Sequence, residues 1–161
     1  MSSAARNGAA GGGDPNGVVV GGVVVGIKVF PASAPACRAA RRFVRTAVEE
    51  AGNSDEVADA AELICGELAA NAVRHARSVF VARVACGSRG VRVSVADEAR
   101  PPASARTKSA ANPLPVSTTR GLGIVSSLAV DWGVDDQAHG KVVWAEIGLG
   151  ATSNTAQSYS S

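Results

Sequence analysis

Between residues 23 and 149 the chain switches between β-branched runs and helical periods, in the order strand, helix, helix, strand, strand, irregular stretch, helix, strand, strand. Val23 to Phe30 is valine-rich and ends at Pro31, as a strand would. Ser33 can then cap a helix whose Ala36, Ala40, Phe43, Val44 and Ala47 recur at helical spacing until Gly52 stops it. A second helix is expected from about Asn53-Ser54 to Ala76, with Asp55 and Glu56 on its positive end. Val79 to Ala85 and Val91 to Val95 read as strands joined by a hairpin at Gly87-Ser88-Arg89-Gly90. Gly121 to Val130 reads as a short helix, and Asp131 to Val134 with Lys141 to Leu149 as a closing hairpin.

The 161 residues suit one domain, expected over 18–149, with a Gly/Ala-rich flexible tail over 1–17 and a Ser-rich one over 150–161. Apolar residues at 46% against 19% charged speak against wholesale disorder. The run Val18 to Phe30 is broken by Gly21, Gly22, Gly26 and Lys28 and falls short of the roughly 20 apolar residues of a membrane helix. Residues 1–17 lack the order of a secretory signal. A formal charge of +2 gives no field that favours nucleic acid. Cys37, Cys65 and Cys86 are odd in number and widely spaced, which argues against a disulfide framework and fits a reducing cytoplasm. The expectation is a cytoplasmic protein with neither a membrane nor a nucleic acid as partner.

The second helix holds the main anomaly. At about 100° per residue, Val57, Ala61, Ile64, Leu68 and Ala72 form one apolar stripe, while Asp59, Glu62, Gly66 and Arg77 fall opposite, towards water. Glu67, Asn71 and His75, four residues apart, run along the edge of the apolar stripe. Singly, each can be a boundary polar residue satisfied by neighbours. Together, a Glu and an Asn against an apolar surface are costly unless they meet partners or a ligand. A carboxylate one turn from an amide oxygen suits hydroxyl activation beside a hard cation, the Glu taking a proton and the Asn offering a neutral oxygen to Mg²⁺.

Two further features follow. Asp97 stands where the strand Val91 to Val95 gives out, and it is either a turn former or an acceptor for an exocyclic amine such as that of adenine. Arg120-Gly121-Leu122-Gly123 leads into a helix, an arrangement suited to an anion. It is neither a Walker P-loop nor a Rossmann fingerprint. The stretch from Ala99 to Arg120, with Pro101, Pro102, Pro113 and Pro115, has no period over about 20 residues and reads as a disordered segment or a lid.

In this order, ELAANAVRHA, VADEARPP and RGLGIV, followed by DWGV and GKVVWAEI, resemble the ATP-binding boxes of the GHKL superfamily. More narrowly they resemble the small bacterial anti-sigma-factor serine/threonine kinases. The resemblance covers about residues 23 to 149. It implies an α/β two-layer sandwich, a mixed and mainly antiparallel sheet with helices on one face, and ATP between helices and lid. It implies Glu67 as the base for the target hydroxyl, Asn71 as the Mg²⁺ ligand and Asp97 as the adenine reader. Arg120, Gly121, Leu122 and Gly123 would lie at the phosphates, and His75 would sit in the first box, counted with the cofactor-binding residues or serving a structural part. The implied reaction moves the γ-phosphoryl group of ATP to a Ser or Thr of a small antagonist (anti-anti-sigma) protein. The implied partners are that antagonist and a sigma factor held inactive, with a homodimer also implied.

The sequence departs from the family pattern at Ala99, where a glycine is expected two residues beyond Asp97, and in a lid that keeps Arg100, Arg106 and Lys108 but few glycines. Both bear on turnover. A competing reading is a non-catalytic, nucleotide-gated binding protein, which has no need of Glu67. Another is a metal protein using Cys37, Cys65, Cys86, His75 and His139, but these lack the short paired spacings of zinc sites. A histidine kinase would need a dimerising phospho-acceptor domain, for which this sequence has no room.

Overall fold

The computed structural model of the protein describes residues 22–99 and 122–149. The expected tails, Arg120, Gly121 and all of the expected lid except Ala99 lie outside the described residues. The elements are β1 (Val23–Phe30), α1 (Ala34–Glu50), α2 (Asp55–His75), β2 (Phe80–Gly87), β3 (Gly90–Asp97), α3 (Leu122–Leu128), β4 (Asp131–Gln137) and β5 (Gly140–Gly148).

Both long helices start where a hydroxyl can serve their unpaired amides. Ser33 Oγ accepts from the Ala36 amide at 3.2 Å and Ser54 Oγ from the Val57 amide at 3.4 Å. Asp55 and Glu56 in the first turn of α2, and Arg74 and His75 in its last, complement the helix dipole at both ends. Gly52, at φ +89°, turns the chain out of α1 in a conformation that L side chains rarely adopt.

Every pairing between described strands is antiparallel, in the order β1-β2-β3-β5-β4. The mainly antiparallel sheet that was expected is present, with no parallel pair among the described strands. With two helices in succession between β1 and β2 the chain reverses three times, so β2 returns against β1 antiparallel, where one helix, with two reversals, would have brought it back parallel. β3 and β4 do run the same way, but β5 lies between them.

α1 and α2 cover one face of the sheet. Phe30, Phe80, Ala82, Val84, Val93 and Val95 meet Ala40, Val44 and Val48 of α1 and Ala61, Ile64 and Leu68 of α2 in one buried core. The alanines on the inward side of both helices let them lie close to the strands and to each other. Burying a Leu or Ile side chain is worth about 1.5–3 kcal/mol, against about 0–1 kcal/mol for an exposed ion pair. The core therefore holds α2 in place more than Arg45 does, although that guanidinium joins Asp59 and Glu62 of α2 to Glu49 of α1.

The elements depart from expectation at their ends. β3 continues to Asp97 and β4 to Gln137, because the ladder with β5 carries through polar residues that look like loop in sequence. α3 stops at Leu128. The flank of α2 expected to face water is partly covered by α1. Glu62 is reached by Arg45 at 3.0 Å and Arg41 at 3.5 Å, and a Cβ on Gly66 would stand 3.0 Å from Arg41 Cδ. Arg77 lies past the helix end at φ 54°.

Candidate active site

The apolar stripe of α2 is buried as its period demands, with Ile64, Leu68 and Ala72 inaccessible or nearly so. Glu67 and Asn71, on the border of that stripe, are half-buried, and His75 at the last turn is exposed. Neither Glu67 nor Asn71 has a side-chain hydrogen bond or ion pair with another described residue. A half-buried carboxylate and amide one turn apart, with no protein partner among the described residues, are open to a ligand.

α2 packs across β3, and the alternation of β3 puts Asp97 on the helix-facing side with Val91, Val93 and Val95. Its carboxylate is 2% exposed and bonded within the protein. Oδ1 accepts from the Ala99 amide at 2.8 Å and from Lys141 Nζ at 2.8 Å, and Oδ2 accepts from the same Nζ at 2.7 Å. Lys141 faces Asp97 directly in the β3–β5 register, and its side chain is 13% exposed. Gly140 makes this approach possible. At φ +141°, a Cβ there would stand 1.9 Å from the Asp97 carbonyl oxygen.

The Ala99 departure loses weight in this geometry. Its contribution is an amide that most residues supply, and its φ is not in the positive range that would demand glycine. Gly123 lies in the first turn of α3, exposed, and a Cβ there would meet nothing within 4 Å. Nothing in the described protein requires a glycine at this position. α3 packs on α2 through buried Val125, which brings the Gly123 turn to the helix that carries Glu67 and Asn71. The structure therefore makes neighbours of the three elements that bear the predicted site, while no described contact joins Asp97 to Glu67 or Asn71.

A cleft of about 470 Å³ runs along the side of the sheet away from α1 and α2, past Arg83, Ser94 and Val142 to His139, with Asp97 and Lys141 at its end. Neither Glu67 nor Asn71 lines it. Asp97 and Lys141 sit at the ends of paired strands, helix-facing by register and bordering this cleft as well. On the same side, Arg92 donates to Glu146 at 2.9 Å and lies 4.3 Å over the Trp144 ring. Burial pushes the neighbouring Asp135 carboxyl above its usual range, and Trp144 and Arg92 oppose that shift.

Sequence reasoning left Lys141 without a role. The signal was the direct pairing of β5 with β3, which no local pattern reveals. All three cysteines are free, Cys65 buried and the other two half-buried. Burial raises the Cys65 thiol to about 12. Among the described residues no group of three or more His, Cys, Asp or Glu side chains is placed to hold a metal, and no helix is long and apolar enough to cross a membrane.

In comparisons with known proteins, residues 30–147 match the histidine kinase-like ATPase domain family. Among solved structures the chain is similar to the RsbU and RsbW domains of Rv1364c from Mycobacterium tuberculosis, at 20% identity and a TM-score of 0.53 over 77% of this chain. It spans 32% of that longer chain, so the likeness speaks for the fold. No curated protein matches the chain. The family match runs from the end of β1 to the last but one residue of β5 and takes in α2, Asp97 and α3, and by it the chain belongs to the histidine kinase-like ATPase domain family.

Proposed function

We propose that the protein is an ATP- and Mg²⁺-dependent serine/threonine kinase of the anti-sigma type, which phosphorylates a small antagonist protein and holds a sigma factor inactive. The family match supports nucleotide binding and kinase-like chemistry. The finer reading is carried by one observation, half-buried Glu67 one turn from half-buried Asn71 with neither side chain engaged by another described residue. The donor set fits a hard cation, since Asn71 offers a neutral amide oxygen beside a carboxylate. When bound there, Mg²⁺ would neutralise phosphate charge.

Glu67 would accept the proton of a Ser or Thr hydroxyl as that oxygen attacks the terminal phosphorus of ATP and the bond to the ADP oxygen breaks. Asp97 would accept from the exocyclic amine of adenine. Gly123 would let phosphate approach the backbone where a methyl group would intrude, together with Arg120, Gly121 and the Leu122 amide. His75, exposed at the end of α2, would serve the helix C-terminus as a polar cap. The solved neighbour carries RsbU and RsbW domains in one chain, which fits a kinase working beside regulatory proteins.

The test is calorimetric titration with ATP and GTP, each with and without Mg²⁺. Adenine-selective binding that depends on Mg²⁺ is expected, and no binding at millimolar ATP would overturn the reading. Glu67→Gln should keep ATP binding and lose phosphate transfer to a Ser-bearing antagonist. Binding without any transfer by the wild type would leave a nucleotide-gated binding protein.

A further inference from the structure

The Asp97 carboxylate does not stand alone, and this changes what it can read. An aspartate by itself presents only acceptors. Here Lys141 Nζ lies 2.7 Å from Oδ2, so a donor and an acceptor stand side by side at the end of the sheet. Among the described residues Oδ1 accepts twice, from Ala99 and from Lys141, while Oδ2 accepts from Lys141 and has a further lone-pair direction. An ammonium carries three donors, two of which engage Asp97.

We infer that Lys141 is the second half of a purine-edge reader, a specificity residue that donates to the ring nitrogen N1 while Asp97 Oδ2 accepts from the adjacent exocyclic amine. The inference rests on the nucleotide reading above and deepens it. Adenine offers these two groups on neighbouring atoms of one edge, as an acceptor beside a donor, which is the complement of the Lys141–Asp97 pair. The pair is also fixed before any ligand arrives. The β3–β5 register sets Asp97 opposite Lys141, and Gly140 packs the turn before Lys141 against the Asp97 carbonyl. A reader held by the sheet loses little freedom on binding.

The experiment is titration of the wild-type protein with ATP, with 1-deaza-ATP, which keeps the amine but has a C–H in place of N1, and with purine riboside triphosphate, which keeps N1 but lacks the amine. Each analogue should bind about tenfold or more weaker than ATP, as expected for losing a hydrogen bond to a charged group. In Lys141→Met the difference between ATP and 1-deaza-ATP should vanish while that for purine riboside triphosphate remains. A merely structural lysine would weaken all three nucleotides together and leave their ratios unchanged.

Lys141→Met leaves a buried carboxylate unpaired and can fail to fold. The double variant Asp97→Asn/Lys141→Met removes both charges together and should likewise bind ATP and 1-deaza-ATP equally. If wild-type protein binds ATP and 1-deaza-ATP alike, the inference is overturned and the nucleotide reading stands. If it binds none of the three, both fall.

Discussion

The two halves of the candidate site are built in opposite ways. On α2, Glu67 and Asn71 sit at the edge of a helix whose hold on the sheet comes from Ile64, Leu68 and Ala72, so neither is needed for packing. At the end of the sheet, Asp97 and Lys141 are buried against each other, and each completes the other's charge. Function and stability are separable on the helix edge and fused at the strand end. A residue of the first kind can be removed and the fold kept, whereas a residue of the second kind cannot be removed without leaving a buried ion.

The largest expected effect follows from that contrast. Lys141→Ala leaves the Asp97 carboxylate buried without its cation and should cost about 3–5 kcal/mol, seen as a lower denaturant midpoint at unchanged slope. Replacing the pair together, Asp97→Asn/Lys141→Met, should cost clearly less than Lys141→Ala, since no charge is stranded. Equal costs would show that the pair is not coupled. Asn71→Ala should shift stability by less than about 1 kcal/mol, as for a half-buried side chain with no hydrogen bond to another described residue. It should also abolish the Mg²⁺-dependent part of ATP binding. A lost cooperative melt for Asn71→Ala would erase the distinction between the two regions.

A second aspartate sharpens the contrast. Asp135 is also partly buried, but its carboxyl is pushed above the usual range by that burial, with Trp144 and Arg92 only opposing the shift. A carboxyl raised in the folded state favours the protonated form there, so its contribution is full below the ordinary carboxylate range and is lost as pH rises through the folded value. Asp135→Asn should therefore raise the melting temperature modestly at neutral pH, with the gain shrinking on acidification. An unchanged gain from pH 7 to pH 3 would contradict the burial of that charge.

The same contrast explains what was legible in sequence. The order of elements, both helix caps and the polar edge of α2 rest on residues within four of each other, and local spacing reports them. Asp97 and Lys141 are 44 residues apart and meet only through a register that depends on β5 inserting between β3 and β4. Nothing in the sequence near Lys141 marks it as the partner of a buried carboxylate. The antiparallel pairing of β1 with β2 was likewise a consequence of the two helices between them, and that of β3 and β4 with β5 a consequence of the place of β5, and local patterns do not state consequences of topology. Glu62 was misread for the same reason, because its exposure is decided by Arg41 and Arg45 of another helix.

Gly123 gives the smallest effect on the fold and the cleanest separation of the two properties. It is exposed in the first turn of α3, and an added Cβ would touch nothing within 4 Å. Alanine is favoured over glycine by up to about 1 kcal/mol within a helix and by less in its first turn. Gly123→Ala should therefore leave thermal stability unchanged or slightly higher. If the backbone at this turn must come close to phosphate, the same methyl group should weaken ATP binding while sparing adenosine, which carries no phosphate. Equal affinity of Gly123→Ala and wild type for ATP would remove Gly123 from the site, and a destabilised variant would mean that the turn packs against something that alanine cannot tolerate. A stable protein with weakened ATP and intact adenosine binding would put α3 with the helix edge of α2, where residues can be spent on ligand without being spent on the fold.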